Sequence, residues 1–529
     1  MRCCQDMDRA LPFVVIILVW LCGAMPARAA EGPTLERGAA ITDPLALREL
    51  DRGRFAVARI IVPERSVDIP LTSGQLFALP SMAMVRAALG GELDRYMIRH
   101  KAALPNESIG VGTGYDFQLF DRAVLDSGDA RFVLAGIVNR MDRAFASPES
   151  CGEIRLIYRL TRTTPAGEDG APRRLPMTLN IVLKARGAGM VDARSAAITC
   201  AGIARRWLDA GESTLTGADL AARLLAKDGP LDLIRPENVD RIETNLQIAH
   251  APKSAVRDFR TDYLMKVFRF DPVARVFAEA PMENQIDRER LLTDPDLGRE
   301  FKAWLLDPRH FNEFDRGTVL IPERFLAKAA IAATPVGFDP SELQPAFGLV
   351  QGKGTSHVFS ESEVVAALRK AADGGVTPAN IRSVAGFKRR LNDVTCSGCH
   401  QTRGIGGFHF PGVDWMAAKP SNAAVVPASP HFFGDQIRRR DILTSMKWGS
   451  SPDYSRGFSE RPQLRTRSEF LAELKGTGHY DGWGAHCYQQ STKAADNDPS
   501  FRGWTCAAGL TCEAAGKTSR IGMCFVKSR

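Results

Sequence analysis

No stretch beyond residue 25 is apolar for long enough to cross a membrane as a helix, and no segment carries a block of like charge. The 69 Lys and Arg against 61 Asp and Glu leave a net charge of +8, modest for 529 residues. Mixed charges of this kind read as solvated surface, and the balance excludes nucleic acid as an expected partner. The longest basic run, Arg438-Arg439-Arg440, reads as an exposed helix end that could at most guide an acidic redox partner. Also missing are a Ser nucleophile elbow, a phosphate-cradling loop and an H-E-x-x-H pair. Hydrolysis by those routes is therefore not expected. Histidine is scarce, 9 in all, and His250 and His310 stand isolated, as satisfied structural histidines do.

What is present begins with an export signal. Arg2 and Arg9 give positive charge, Leu11 to Met25 an apolar core too short for a membrane span, and Ala27-Arg28-Ala29 a small-x-small cleavage pattern. The expected mature protein lies outside the cytoplasm, in the periplasm or the medium. Cys3, Cys4 and Cys22 leave with the signal, and eight cysteines remain. In an oxidising compartment Cys151 and Cys200 are expected as a disulfide that ties a strand to a helix. Cys487, Cys506, Cys512 and Cys524 lie among Gly, Ser and Ala and read as two disulfides of a small C-terminal module. Its spacing does not choose among the three possible connectivities.

Periodicity assigns the fold class α+β. Residues 131–139, 153–160 and 175–183 read as strands of an antiparallel sheet with one buried face. Residues 55–62, 246–249 and 263–270 read as further strands. Helices are expected over 82–89, 92–103, 201–210, around Leu220 to Leu225, over 288–306 and over 468–475. Ser360-Glu361-Ser362-Glu363 is a capping box that opens a helix stopped by Gly374-Gly375. Thr377-Pro378 then starts another helix, which runs to Cys396.

That helix leads into Cys396-Ser397-Gly398-Cys399-His400, a C-x-x-C-H motif. Two thiols at this spacing can add to the two vinyl groups of one porphyrin, and the adjacent histidine can ligate the iron. A helix delivered onto C-x-x-C-H resembles the class I cytochrome c arrangement, over about residues 378–450, under a fifth of the chain. The resemblance implies a small, mainly helical domain holding one covalent haem c, with one-electron transfer to a redox partner protein. It implies Cys396 and Cys399 as thioether attachments and His400 as proximal ligand. Pro411 would offer its carbonyl to the His400 ring, with Phe408 and Phe410 on the porphyrin edge. Met446, followed by Trp448, resembles the family's axial methionine. His409, in a glycine-rich loop, is the rival sixth ligand, and Met416 and His431 trail. The family's glycine and aromatic on the leading helix have counterparts in type, Gly386 and Phe387, at different offsets.

The expected division is a signal over 1–30, an α+β domain of unassigned role over 31–355, a haem domain over 356–480 and a disulfide module over 481–529. If the chain is an enzyme, it is a haem-dependent oxidoreductase. The competing reading is an exported, cofactor-free binding or structural protein with Cys396–Cys399 as a tight disulfide. A redox dithiol would need a βαβ setting that the pattern lacks, and a zinc site would need a second pair of ligands.

Overall fold

Alternation along consecutive stretches builds the centre of the molecule. Leu156, Tyr158 and Leu160 on one strand and Leu179, Ile181 and Leu183 on the next are wholly buried, and the residues between them point to the other side of a sheet. The computed structural model describes residues 37–63, 70–109, 120, 122–147, 149–165, 172–186, 199–252, 260–333, 349–351, 356–401, 430–458, 461, 480–514 and 519–526. Its main sheet holds β1 (Ala40–Ile41), β2 (Glu107–Ile109), β3 (Ala130–Arg140), β4 (Glu153–Pro165), β5 (Pro172–Lys184), β6 (Val239–Pro252), β7 (Arg260–Asp271), β8 (Val276–Ala280) and β9 (Ala329–Ala333). The order is β1-β3-β4-β5-β6-β7-β8, with β2 paired to β6 and β9 to β7, and every pairing is antiparallel. The edge of β7 is shared: Val267–Asp271 pairs with β8 and Asp262–Lys266 with β9. The α+β class and the antiparallel meander read from the sequence are the observed architecture.

Helices α1 (Pro44–Arg52), α2 (Val57–Ile61), α3 (Ser73–Phe77), α4 (Ala83–Ala103), α5 (Cys200–Gly211) and α6 (Gly217–Leu225) contribute to the core on one side of this sheet. Thr199 caps α5 by accepting from the Gly202 amide, and the Cys151–Cys200 disulfide ties its first residue to the start of β4. Further along come α7 (Arg288–Thr293), α8 (Pro295–Leu305), α9 (Pro308–Arg316), α10 (Glu361–Asp373), α11 (Val384–Asp393), α12 (Cys396–Gln401) and α13 (Pro430–Lys447). Among the described residues no helix is long and apolar enough to cross a membrane.

Four expected elements differ. Residues 55–62 contain the short helix α2 rather than a strand, because a brief apolar run has no period that separates the two. The two helical pieces over 82–103 are one helix, α4, which continues through Gly90-Gly91. The single helix over 288–306 is divided at Asp294-Pro295. Asp294 caps α8 by accepting from the Asp296 and Leu297 amides, and Pro295 fits its first turn. The helix expected from Thr377-Pro378 starts later, at Val384 with Ser383 as its cap. Upstream, the amides of Ala379, Asn380 and Ile381 donate to the Asp315 carboxylate, each at 2.8 Å, so they are spent before a helix can use them. The capping box of Ser360 and Glu363 is formed as read. The expected helix over 468–475 lies outside the described residues.

Two large apolar cores result. One lies against the sheet and includes Leu47, Leu93, Trp207 and Leu220. The other gathers Phe301, Phe311, Phe314 and Phe325 with Phe359, Val364, Phe387 and Leu391. This second core straddles residue 355, since the apolar stripes of α10 and α11 are completed by aromatic side chains from α8 and α9. Helix α13 adds Ile442, Leu443 and Met446 to the first core. The boundary expected at 355/356 therefore does not separate two cores among the described residues. The C-terminal module is a three-stranded sheet of β12 (His486–Tyr488), β13 (Leu510–Ala514) and β14 (Ile521–Val526), stapled by Cys487–Cys512 and Cys506–Cys524. (β10, Val350–Gln351, and β11, Phe359–Ser360, form a separate parallel pair.) The module docks on the start of α11, where Ser383 Oγ donates to Asp498 at 2.8 Å. Gly386 fits that contact, as a Cβ there would lie 2.1 Å from Ser500 Oγ.

Candidate functional site

The C-x-x-C-H motif forms the short helix α12, set end to end with α11. Thr395 makes the corner. Its Oγ1 donates to the Asn392 carbonyl at 2.6 Å and accepts from the Gly398 amide at 3.0 Å, as an N-cap does. The turn is so tight that a Cβ on Gly398 would lie 1.9 Å from the Asn392 carbonyl oxygen. Glycine between the two cysteines is thus dictated by the backbone that follows α11. Cys396 and Cys399, three positions apart, share a face of the helix. His400 is the next residue. Cys396 is half-buried and Cys399 buried, and neither is in a disulfide.

A segment more than a hundred residues upstream holds this helix in place. Asn284 adopts left-handed backbone at φ 56°, a conformation asparagine tolerates better than most residues. Its side chain is fixed by donating to the Val319 carbonyl and accepting from the Ile321 amide, both at 2.8 Å. The turn presents the Glu283 carbonyl to Cys396 Sγ at 3.4 Å and Gln285 Oε1 to the Ser397 amide at 3.0 Å. Cys396 itself packs on a patch of Met265, Val267, Ala280, Met282, Ala330 and Ala332.

That patch is one end of the sheet's second face. Register sets Ile157, Asn180, Glu243, Val267 and Ala280 in one row and Arg159, Thr178, Asn245, Met265 and Ala330 in the next. The face is polar over β4 to β6 and small and apolar over β7 to β9. Its polar part carries an ion network. Arg155 donates to Glu243 at 2.8 Å and to Glu153 at 3.0 Å, while Arg241 reaches Glu153 at 2.9 Å and Glu243 at 3.0 Å. Arg143 joins Glu283, the residue beside Cys396, to Glu153. Burial raises the Glu153 carboxyl, but the Arg241, Arg143 and Arg155 charges outweigh it and hold the group well below the usual carboxylate range. The Cys396 thiol moves the other way. Burial pushes it up, and the Glu283 and Glu243 charges add to the shift. A redox dithiol needs a lowered thiol pKa, so this setting opposes that reading.

A second buried network lies where α13 meets the end of β3. Asp142 pairs with Arg140 at 2.8 Å and Arg438 at 3.0 Å, and Asp435 pairs with Arg438 at 2.6 Å and Arg439 at 2.9 Å. Arg438 and Arg439 are therefore interior residues, and the exposed basic run read from the sequence is corrected: only Arg440 of the three is exposed. Asp435, one turn before both arginines on the same helix, and Asp142, from just after β3, supply the countercharges that allow this burial.

Of the residues proposed from the sequence, Cys396 and Cys399 are brought together on α12. Met446 is buried in the first core, in a different apolar cluster from Cys396. Phe408, His409, Pro411 and the trailing Met416 lie outside the described residues. Gly386 and Phe387 serve the docking of the C-terminal module and the second core. His310 stacks on Trp304 at 4.6 Å, as a structural histidine would. Sequence reading missed Glu283, Gln285, Met265 and Met282, because contacts across such separations leave no local period. The disulfides follow the sequence reading: Cys151–Cys200 is formed, the C-terminal module takes the pairing Cys487–Cys512 and Cys506–Cys524 out of the three possible, and the motif pair stays outside all three bridges. The tight Cys396–Cys399 disulfide of the cofactor-free reading is not formed. Among the described residues, the group of three cysteines close enough for a metal, Cys487, Cys506 and Cys512, is already committed to disulfides. No protein-family model, curated protein or solved structure matches the chain.

Proposed function

We propose that the chain is an exported c-type haem protein that carries single electrons. The observation that supports it best is the sorting of sulfur. Every other cysteine after residue 30 is in a disulfide, and the two thiols outside them stand three positions apart on a helix with histidine next in line. The donor set fits haem c: two thiols for the two vinyl groups and an imidazole for the iron. The Met265, Val267, Ala280, Met282, Ala330 and Ala332 patch beside Cys396 suits an apolar macrocycle edge. When bound, the haem supplies a one-electron couple. Each thiol adds its sulfur and its proton across one vinyl double bond, with no net oxidation. His400 is the proximal ligand, and Pro411 and Phe408 are the proposed supports downstream of it. Glu283 and Gln285 hold α12 so that both thiols face the same side.

The full chain made together with haem-c maturation machinery tests this reading. The denatured, reduced protein in pyridine is expected to give a covalent haem c spectrum, one haem per chain. Absence of that spectrum overturns the reading. Met446→Ala and His409→Ala, compared in the folded protein, assign the sixth ligand by which one changes the reduced spectrum. Met282→Leu is the third comparison, because Met282 shares the cluster that holds Cys396.

A further inference from the structure

The clamp on α12 has two halves of different chemistry. In one, Gln285 Oε1 accepts from the Ser397 amide at 3.0 Å. Gln285 is 1 % exposed. Its amide donates to the Met282 carbonyl at 3.0 Å and its carbonyl accepts from the Ala327 amide at 2.8 Å, so the acceptor is held in place. The other half runs through a reactive atom, since Cys396 Sγ donates its S–H to the Glu283 carbonyl at 3.4 Å. Both reactions open to that thiol in the motif remove the hydrogen. Addition to a vinyl group moves it onto carbon. Oxidation with Cys399 passes two protons and two electrons to the oxidant and leaves a disulfide. Neither product can donate to Glu283. The docked helix therefore favours the free thiol, and by reciprocity a reacted sulfur weakens the docking.

Burial adds to this. Cys399 is 6 % exposed, and Thr395 and Ser397 on either side of Cys396 are wholly buried. Cys396 rests on the patch that holds Met265 and Met282. The receiving turn is itself tied at three points: Arg143 pairs with Glu283, Asn284 bridges Val319 and Ile321, and Gln285 holds Ala327. A C-x-x-C pair at the start of a helix is otherwise set up to react, because a helix N-terminus favours a thiolate. Here the six other cysteines after residue 30 are in disulfides and this pair is not.

We propose that the Glu283–Gln285 turn guards the motif: docked on it, the folded, haem-free chain keeps Cys396 and Cys399 as thiols, and local undocking of α12 is the step that opens them to reaction. Gln285 is the positioning residue. The inference rests on the haem reading for what the thiols are kept for, but its test needs no haem. The mature chain, made without haem-c maturation machinery, is exposed to oxidised glutathione, and closure of the Cys396–Cys399 bridge is followed by counting alkylated thiols. Closure is expected to be at least about a hundredfold slower in the folded chain than in urea. Gln285→Ala is expected to speed it about tenfold, the equilibrium value of one lost hydrogen bond. Leu179→Ala, which loosens the first core without touching the turn, is expected to leave the rate unchanged, as local rather than global opening requires. Hydrogen exchange of the unmutated chain covers the case in which Gln285→Ala does not fold: the Ser397 amide is expected to be protected by the same factor as the thiols. A bridge already closed on purification, closure as fast in the folded chain as in urea, an unchanged rate in Gln285→Ala, equal acceleration by Leu179→Ala, or an unprotected Ser397 amide would each overturn the guard. A guarded pair that never takes up haem would instead overturn the haem reading alone.

Discussion

On one face of the nine-stranded sheet, Leu156, Leu179, Ile242 and Leu264 are sealed beneath helices. On the other, Arg155, Asn180, Glu243 and Met265 are also buried, and three of the four are polar. The first face gains from apolar area, about 25 cal/mol for each Å² removed from water. The second gains little net energy from its ion pairs, because desolvation offsets most of the attraction between them. What it acquires is position. Arg143 and Glu283 are linked to Glu153 and Arg155 in one network, and Glu283 presents its carbonyl to Cys396. The sheet thus separates, by side, apolar packing from the polar network that reaches the C-x-x-C-H helix.

Substitutions on the two faces can break that comparison. The largest effect is expected on the second face. Glu153→Gln leaves Arg143, Arg155 and Arg241 short of a buried countercharge and should cost about 3–5 kcal/mol in urea unfolding. Acid gives the same test without mutation. Glu153, Asp142 and Asp435 all have folded-state pKa values below the usual carboxylate range, despite burial that raises them. Their contribution is therefore complete above about pH 4 and is lost as pH falls through the lower folded-state values. The thermal midpoint should be flat from neutrality to about pH 5 and drop below about pH 4, less steeply in Glu153→Gln. A midpoint that declines from pH 7 would contradict the account. On the first face, Leu179→Ala should cost about 2–5 kcal/mol by leaving a cavity, with no change in any haem spectrum. Cys151→Ser, which opens a loop of 49 residues at the start of β4, should cost about 2–4 kcal/mol. The smallest effect has the opposite sign. Both amide atoms of Asn180 are buried without a hydrogen-bond partner, so Asn180→Leu should be neutral or stabilise by about 1 kcal/mol.

The same contrast explains what could be read from the sequence. β3, β4 and β5 were legible because one face is continuously apolar, so alternation marks them. The capping box at Ser360 was legible because both of its partners lie within three residues. The C-x-x-C-H motif was legible for the same local reason. Arg438 and Arg439 were misread because Asp142, nearly 300 residues away, helps to bury them. The clamp on α12 left no trace, since Glu283 and Gln285 lie 113 and 112 residues from their partners in the motif. Pro295 is a visible break, but the spacing of apolar residues through α7 and α8 on either side of it reads as one helix. Gly398 shows the limit from the other direction. The motif's spacing sets no requirement on this position, and the approach of the Asn392 carbonyl supplies one.

The central claim is that Cys396 and Cys399 are kept out of the disulfide set to hold haem. Counting sulfur tests it most directly. The mature chain, made with haem-c maturation machinery, is denatured, fully reduced and alkylated, and its intact mass is measured. Eight cysteines follow residue 30, and two of them are expected in thioethers that reduction does not open. The account predicts six alkyl groups and one added haem on the unmutated chain, and six alkyl groups with no haem on Cys396→Ser/Cys399→Ser, which retains six cysteines after residue 30. Eight alkyl groups and no haem on the unmutated chain would contradict it.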